Sequence, residues 1–160
     1  MGSVSGRCHF NHQLNYEGYL MKYPLPKSTI GSRYGVTERR SQPHRGLDFP
    51  ARAGSWITAP AGGTIVLNTW SDCLGWVLVL RFWHLGKKQP MYLGFSHLQK
   101  KSSHKVGDRI EEGNGRFALV GNTGACSRGS HLHLTYGDTA QHIFSGRTFD
   151  PEALLERFAS

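Results

Sequence analysis

The sequence predicts a mainly β protein built on an antiparallel sheet, with an irregular N-terminal arm and a short C-terminal helix. Short β-type runs alternate with glycine-containing turns from about residue 31 to residue 136. The 20 glycines and 7 prolines among 160 residues are too many for a helical bundle, whereas 38% hydrophobic residues suffice for one core. We therefore expect a loop-rich arm over residues 1–30 and a single domain over residues 31–160.

The predicted strands are apolar runs that end at turn-forming residues. They cover residues 56–58, 64–67, 76–82, 91–98, 116–120 and 131–136. Residues 105–110 and 121–124 are predicted to form turns between these strands. This spacing is typical of an antiparallel sheet protein.

A closing helix is predicted over residues 151–158. Asp150 suits the N-cap and Pro151 suits the first helical position. Leu154, Leu155 and Phe158 form one apolar face, which should pack on the β core. We expect this helix to be structural.

The charge of the chain points to an anionic partner. Lys and Arg total 19 against 11 Asp and Glu, which gives +8 at pH 7. Nucleic acid, an acidic membrane surface and a bacterial cell wall all fit this charge, but the basic residues come as scattered doublets such as Arg39-Arg40. No apolar run approaches the roughly 20 residues that span a bilayer, and the N-terminus shows no secretory signal, so we expect no stable membrane association.

The three cysteines, Cys8, Cys73 and Cys126, are an odd number at irregular spacing. This pattern predicts neither a disulfide framework nor a thiolate zinc site. Cys73 and Cys126 are therefore predicted to be small core or turn residues.

The nine histidines include two arrangements with metal-binding chemistry. His44 precedes Asp48 by four positions in a stretch that is not helical, and His131 and His133 share one face of a predicted strand. Two histidines and one carboxylate suit a catalytic zinc site with an open position. The spacing does not say which of His131 and His133 lies nearer the ion. His97, in a further strand, could face the same cleft.

Three motifs occur in a fixed order along residues 32–136. They are His44-Arg45-Gly46-Leu47-Asp48-Phe49, with its continuation from Gly54 to Gly63; Phe95-Ser96-His97-Leu98; and the turn Gly121-Asn122-Thr123-Gly124 followed by His131-Leu132-His133. In this respect the sequence resembles the lysostaphin-type zinc metallopeptidases, endopeptidases that cut the peptide part of bacterial peptidoglycan. Phe95 stands where that family often has tyrosine, a departure that removes no ligand.

The resemblance implies a role for each residue of the site. His44, Asp48 and His133 would hold Zn²⁺, and His97 and His131 would be the catalytic pair that does not ligate the metal. Two substrate contacts are also expected: Thr123, and Tyr34 as a group that stabilises the oxyanion, for which core packing is the alternative. The implied chemistry is metal-assisted hydrolysis of a peptide bond.

The expected partners are peptidoglycan and anionic cell-wall polymers, with no nucleic acid, and the protein is expected to be a monomer. A small basic lytic domain without an export signal resembles a phage endolysin, made in the cytoplasm of an infected host and acting on the wall. A bacterial autolysin trimmed of its signal would look the same. Because no separate wall-binding module is visible, we expect cleavage of the D-alanyl to diaminopimelate bond over a glycine bridge.

Two other functions fit parts of the sequence. A catalytically inactive cell-wall-binding or activator module of the same fold would lack one of the five site residues, and all five are present. A basic β domain that binds nucleic acid would explain the charge, but it gives no reason for the histidines and Asp48 to occur together.

Overall fold

The computed structural model describes residues 20–83 and 86–159, and these residues form two antiparallel sheets. The strands are β1 (Leu47–Pro50), β2 (Trp56–Ile57), β3 (Gly63–Ser71), β4 (Gly75–Phe82), β5 (Met91–Leu98), β6 (Arg109–Ile110), β7 (Ala118–Leu119) and β8 (His131–Gly137). Two short 3-10 helices, Lys27–Thr29 and Gln141–Ile143, and one α-helix, α1 (Pro151–Phe158), complete the elements. The predicted mainly β class with a closing helix is confirmed.

The larger sheet has six strands in the order β1-β8-β5-β4-β3-β6, and β2 pairs with β7 in the smaller one. Strand β8 is central to the site because it pairs with β1 on one side and with β5 on the other. His133 stands opposite Asp48 of β1 and opposite Ser96 of β5. Directly opposed residues place their side chains on the same face of a sheet, so this face carries both Asp48 and His133.

Alternation along β8 separates the core from the site. Leu132 and Leu134 are fully buried in the main core, whereas His131 and His133 point to the other face. The core residues of the neighbouring strands continue the same layer, and they include Leu47, Phe49, Leu78, Leu80, Leu93 and Phe95. Around β8 the main core therefore lies on one face of the sheet and the histidines lie on the other, while a second apolar cluster, Val77, Val79 and Ile143, covers the latter face farther along β4.

Helix α1 closes the core, as predicted. The side chain of Asp150 accepts a hydrogen bond from the backbone N–H of Glu152 at 2.8 Å, which satisfies one free donor of the first turn. Leu154 and Leu155 are buried in the main core, and Phe158 packs at its edge. No helix within the described part of the chain is long and apolar enough to cross a membrane.

Part of the predicted N-terminal arm packs on the domain. Residues 1–19 lie outside the described residues, but Met21 and Leu25 are buried in the core. The backbone N–H of Met21 donates to the carbonyl oxygen of Phe158 at 2.6 Å, which ties the arm to the end of α1.

The cysteine pattern predicted no disulfide framework, but Cys73 and Cys126 form one disulfide across 53 positions of sequence. Both do lie in turns, and the turns touch closely: a Cβ at Gly124 would lie 2.2 Å from the backbone nitrogen of Gly75. Linear spacing carries no information about this contact. Cys8 lies outside the described residues.

Two short strands were also missing from the prediction. β1 follows Gly46 and contains Asp48 and Pro50, which are residues typical of turns. It is a strand because it pairs with β8. β6 lies at the end of the predicted turn over residues 105–110 and pairs with the start of β3.

Candidate active site

Three side chains predicted to bind metal converge at one point. The structure brings together one donor atom each of His44, Asp48 and His133 as a possible metal site. Nε2 of His44 lies 3.1 Å from Nδ1 of His133 and 3.2 Å from Oδ1 of Asp48, and the last two atoms are 2.8 Å apart. The relative exposures of the three side chains are 3%, 13% and 12%, so the donor atoms lie at the floor of a cleft.

These residues fit a zinc ion in chemistry and in size. Zinc binds imidazole nitrogen and carboxylate oxygen at about 2.0–2.2 Å, which places ligand atoms of a tetrahedron about 3.3 Å apart. The observed separations are 2.8 to 3.2 Å, so the three donor atoms would move apart by a few tenths of an ångström when zinc binds. The set supplies three ligands, as in zinc sites that keep a fourth position for water or substrate.

Cross-strand contacts and a hydrogen bond to the backbone orient the three donors. Asp48 and His133 are cross-strand partners, and Gly46 leaves room for the ring of His133: a Cβ there would lie 2.7 Å from its Cε1 atom. Nδ1 of His44 is 2.9 Å from the carbonyl oxygen of Arg33. A proton on that nitrogen leaves Nε2 of His44 as the free donor at the site.

Arg40 was not identified from the sequence as part of the site. Its guanidinium donates to Oδ2 of Asp48 at 3.3 Å and to Oγ of Ser32 at 3.1 Å, while Oδ1 of Asp48 faces the two histidines. The two oxygens of the Asp48 carboxylate thus have different partners: Oδ2 accepts from Arg40, and Oδ1 faces the point where a metal ion would bind. The doublet Arg39-Arg40 carries no sequence signal for this role, because only folding brings Arg40 to Asp48.

The ionisation of the site follows from burial and from the close contacts. Burial by itself would raise the pKa of Asp48, but hydrogen bonds and charge from His133 and His44 hold that pKa well below its usual range. Burial lowers the pKa of His133. Asp48 is therefore a carboxylate at neutral pH and His133 is a neutral imidazole, the forms in which these side chains bind metal.

His97 reaches the site through an irregularity in strand β5. Trp76 pairs with Leu98 and Leu78 pairs with Phe95, so two residues of β5, Ser96 and His97, stand opposite one residue of β4. Regular alternation would direct His97 into the core with Phe95. The extra residue and the φ of 61° at His97 turn the imidazole to the face of the metal-binding side chains instead.

The two predicted catalytic histidines lie next to each other above this floor. The ring centroids of His97 and His131 are 4.8 Å apart, and Nε2 of His131 is 3.7 Å from Oδ1 of Asp48. Burial lowers the pKa of His97 to about 4, with the charges of His131 and His133 acting in the same direction. Since His133 contacts both His44 and Asp48, the geometry favours His133 over His131 as the third ligand.

The loop that precedes β8 orients both of these rings. Nδ1 of His97 is 2.8 Å from the carbonyl oxygen of Thr123, and Nδ1 of His131 is 2.7 Å from that of Gly129. With those nitrogens protonated, each ring keeps a lone pair on Nε2. The disulfide from Cys126 to Cys73 ties this loop to the β3–β4 turn.

The side chains of Tyr34 and Thr123, the two expected substrate contacts, are not among those that line the cleft. The hydroxyl of Tyr34 donates to the carbonyl oxygen of Thr148 at 2.8 Å, and Tyr34 does not line the cleft. The hydroxyl of Thr123 donates to Leu98 and accepts from the backbone N–H of Trp76. Both side chains are engaged within the protein, and the contribution of Thr123 to the site is its carbonyl oxygen.

The cleft above the site is open and has a volume of about 900 Å³. The loop before β1 and the loop before β8 form most of its walls, and four arginines line it: Arg39, Arg40, Arg45 and Arg128. Glu38 and Asp48 are the carboxylates among the lining residues.

Comparison with known proteins agrees with this geometry. The model of peptidase family M23 matches residues 42–145. The chain is 34% identical over 157 residues to an uncharacterized metalloprotease of Haemophilus influenzae, covering 93% of this chain and 30% of that protein. A second uncharacterized metalloprotease, from Buchnera aphidicola, is 30% identical over 115 residues, covering 72% of this chain and 28% of that protein.

Among solved structures, the catalytic domain of the antimicrobial peptidase lysostaphin from Staphylococcus simulans superposes with a TM-score of 0.65 at 27% identity, covering 79% of this chain and 91% of that domain. The fold and the site are together those of a metallopeptidase. Because the matched residues make up more than half of the chain, the protein belongs to peptidase family M23. It spans less than a third of the length of the two curated relatives.

Proposed function

We propose that this chain is a zinc-dependent endopeptidase that hydrolyses peptide bonds of bacterial peptidoglycan. The observation that carries the proposal is the convergence of His44 Nε2, Asp48 Oδ1 and His133 Nδ1 at the floor of an open cleft. His97 and His131 stand beside these donors without belonging to them. A module that only bound the cell wall would not need His97 and His131, two further imidazoles whose Nε2 atoms are available for proton transfer.

A zinc ion held by His44, Asp48 and His133 would lower the pKa of a water molecule toward neutrality and polarise the scissile carbonyl group. The protein side chains supply the proton transfers. His97 is neutral at pH 7 because of its lowered pKa, so its Nε2 accepts a proton from the attacking water. The water oxygen bonds to the carbonyl carbon, the C–N bond breaks, and the histidine pair returns the proton to the leaving amine.

Three observations support the wall as the substrate. The chain resembles the catalytic domain of lysostaphin, which is an antimicrobial peptidase. Its charge of +8 favours association with anionic wall polymers. The cleft is open, as cleavage within a polymer requires. Within peptidoglycan we propose the D-alanyl to diaminopimelate bond as the point of cleavage.

We also propose that the enzyme acts in an oxidising compartment of the cell envelope. The Cys73–Cys126 disulfide supports this place of action, because disulfides persist outside the reducing cytoplasm. Release of the enzyme by phage-mediated lysis stays a prediction from the endolysin resemblance.

Digestion of purified peptidoglycan of known cross-link, analysed by mass spectrometry, tests the function. The zinc-loaded protein should release stem peptides cut at the D-alanyl to diaminopimelate bond, and a chelator should abolish the release. His44→Ala, which lacks one metal donor, serves as the inactive control. Exclusive release of glycine-terminated fragments would overturn the choice of bond, and undiminished cleavage by metal-free protein would overturn the mechanism.

A further inference from the structure

The arginines of the cleft differ in what their side chains contact. Arg45 donates to the carbonyl oxygens of Phe144, His142 and Gly146 at 2.9, 2.7 and 3.1 Å, so it fastens the loop after β8. Arg40 is engaged with Asp48 and Ser32. These two cations are used by the protein itself.

Arg39 and Arg128 are different. Both line the cleft and both are exposed, and neither forms a hydrogen bond or an ion pair with any residue in 20–83 or 86–159. Glu38, which also lines the cleft, forms no ion pair with them. Each of the two loops thus presents one guanidinium that has no acceptor among the described residues.

The backbones that carry these two side chains are fixed. The loop with Arg39 is closed at its base, where the N–H of His44 donates to the carbonyl oxygen of Val36 at 2.9 Å. Arg39 itself has a φ of 55°, a left-handed conformation that residues other than glycine rarely adopt. The position of the Arg39 backbone is thus set by the turn that carries it.

The backbone around Arg128, in the loop before β8, is held by hydrogen bonds and by the disulfide. The carboxamide oxygen of Asn122 accepts hydrogen bonds from Oγ of Ser127 and from the N–H of Gly129, at 2.6 and 2.9 Å, on either side of Arg128. The disulfide at Cys126 lies two positions before it. The guanidinium therefore extends from a loop that these bonds already hold in place, so a ligand that binds it does not have to order the loop.

We propose that Arg39 and Arg128 bind a free carboxylate of the peptide substrate, so that the enzyme selects anionic stem peptides over neutral bridges. The inference rests on the proposed function and adds a basis for its specificity. A guanidinium binds a carboxylate through paired N–H donors, a geometry that an ammonium group does not offer. Peptidoglycan stems carry free carboxylates beside the cross-link, whereas a glycine bridge carries none within its length.

The test uses two synthetic cross-linked stem peptides with the same scissile bond, one with free side carboxylates and one with those groups amidated. We expect KM of the zinc-loaded wild type to be about tenfold lower for the carboxylate peptide, with little change in kcat. Arg39→Gln and Arg128→Gln should each raise KM for the carboxylate peptide only. The double variant should lose the discrimination, and Arg→Lys at either position should restore only part of it.

Arg109→Gln is the matched control, because Arg109 is an exposed arginine on β6, at the edge of the sheet away from β1. Zinc content and melting temperature of each variant report whether the site and the fold are intact. Equal KM values for both peptides, or variants that behave like Arg109→Gln, would overturn the carboxylate proposal while leaving the endopeptidase function in place. Failure of the wild type to cleave either peptide or whole peptidoglycan would overturn the function itself.

Discussion

Gly46 lies against the imidazole of His133: a Cβ at position 46 would be 2.7 Å from Cε1 and 2.9 Å from Nε2 of that ring. The same Cβ would be 2.4 Å from the carbonyl oxygen of Leu134, which belongs to the strand and cannot move aside. The glycine between His44 and Asp48 is therefore required both by the backbone of β8 and by the histidine that completes the donor set. A motif that looks local in sequence is set by a contact between two strands.

Gly46→Ala should weaken zinc binding, because the added methyl group meets both the carbonyl oxygen of Leu134 and the ring of His133 and so shifts His133 relative to Asp48. Loss of such support typically costs about 10- to 100-fold in metal affinity. Competition with a chromophoric chelator measures the change. Gly115→Ala is the control, since a Cβ there meets nothing within 4 Å. Equal zinc affinity of the two variants would contradict the packing argument.

Alanine substitutions should separate ligation from proton transfer. His44→Ala, Asp48→Ala and His133→Ala should lose both zinc and activity, because three ligands leave no redundancy. His97→Ala and His131→Ala should keep zinc while kcat falls roughly 10²- to 10⁴-fold. Elemental analysis and wall hydrolysis measure the two effects. If His131→Ala loses the metal and His133→Ala retains it, the two roles are reversed.

Arg40→Ala should loosen Asp48 and lower the affinity for zinc by about tenfold, because the carboxylate loses the donor that holds Oδ2. Arg40→Lys should recover part of the loss, since it restores the charge without the planar fork. Titration with a competing chelator gives the dissociation constants. Arg109→Ala, at the far edge of the sheet, controls for the change in net charge. An unchanged zinc affinity in Arg40→Ala would exclude a supporting role for this arginine.

The double variant Cys73→Ser, Cys126→Ser should be less stable and less active, yet it should still bind zinc. Opening a cross-link between residues 53 positions apart costs about 4 kcal/mol on the chain-entropy model. The freed loop also carries the carbonyl oxygens that orient His97 and His131, so kcat should fall.

Thermal unfolding, elemental analysis and initial rates measure these three properties of the cysteine variant. Cys8→Ser is the matched control, because the disulfide does not involve Cys8. A variant with wild-type kcat would show that the loop keeps both histidines in place without its covalent link.

The sequence alone was sufficient for the parts of the protein that depend on short-range patterns. Alternation of apolar residues predicts β5 and β8, and Asp150-Pro151 predicts the start of the closing helix. Alternation also places His131 and His133 on one face, because the side-chain period of a strand is two whatever its neighbours are. The motif order predicts which five residues meet, through resemblance to a family.

Only the tertiary structure decided the features that depend on contacts between distant segments. The pairing of Cys73 with Cys126, the contact of Arg40 with Asp48 and the strand at Leu47–Pro50 each join parts of the chain that no local pattern relates. The direction of the His97 side chain depends on one extra residue in β5, and a single sequence does not reveal a bulge whose position is set by pairing with the next strand. Local propensity acts over a few residues, whereas the geometry of the site results from packing across the whole sheet.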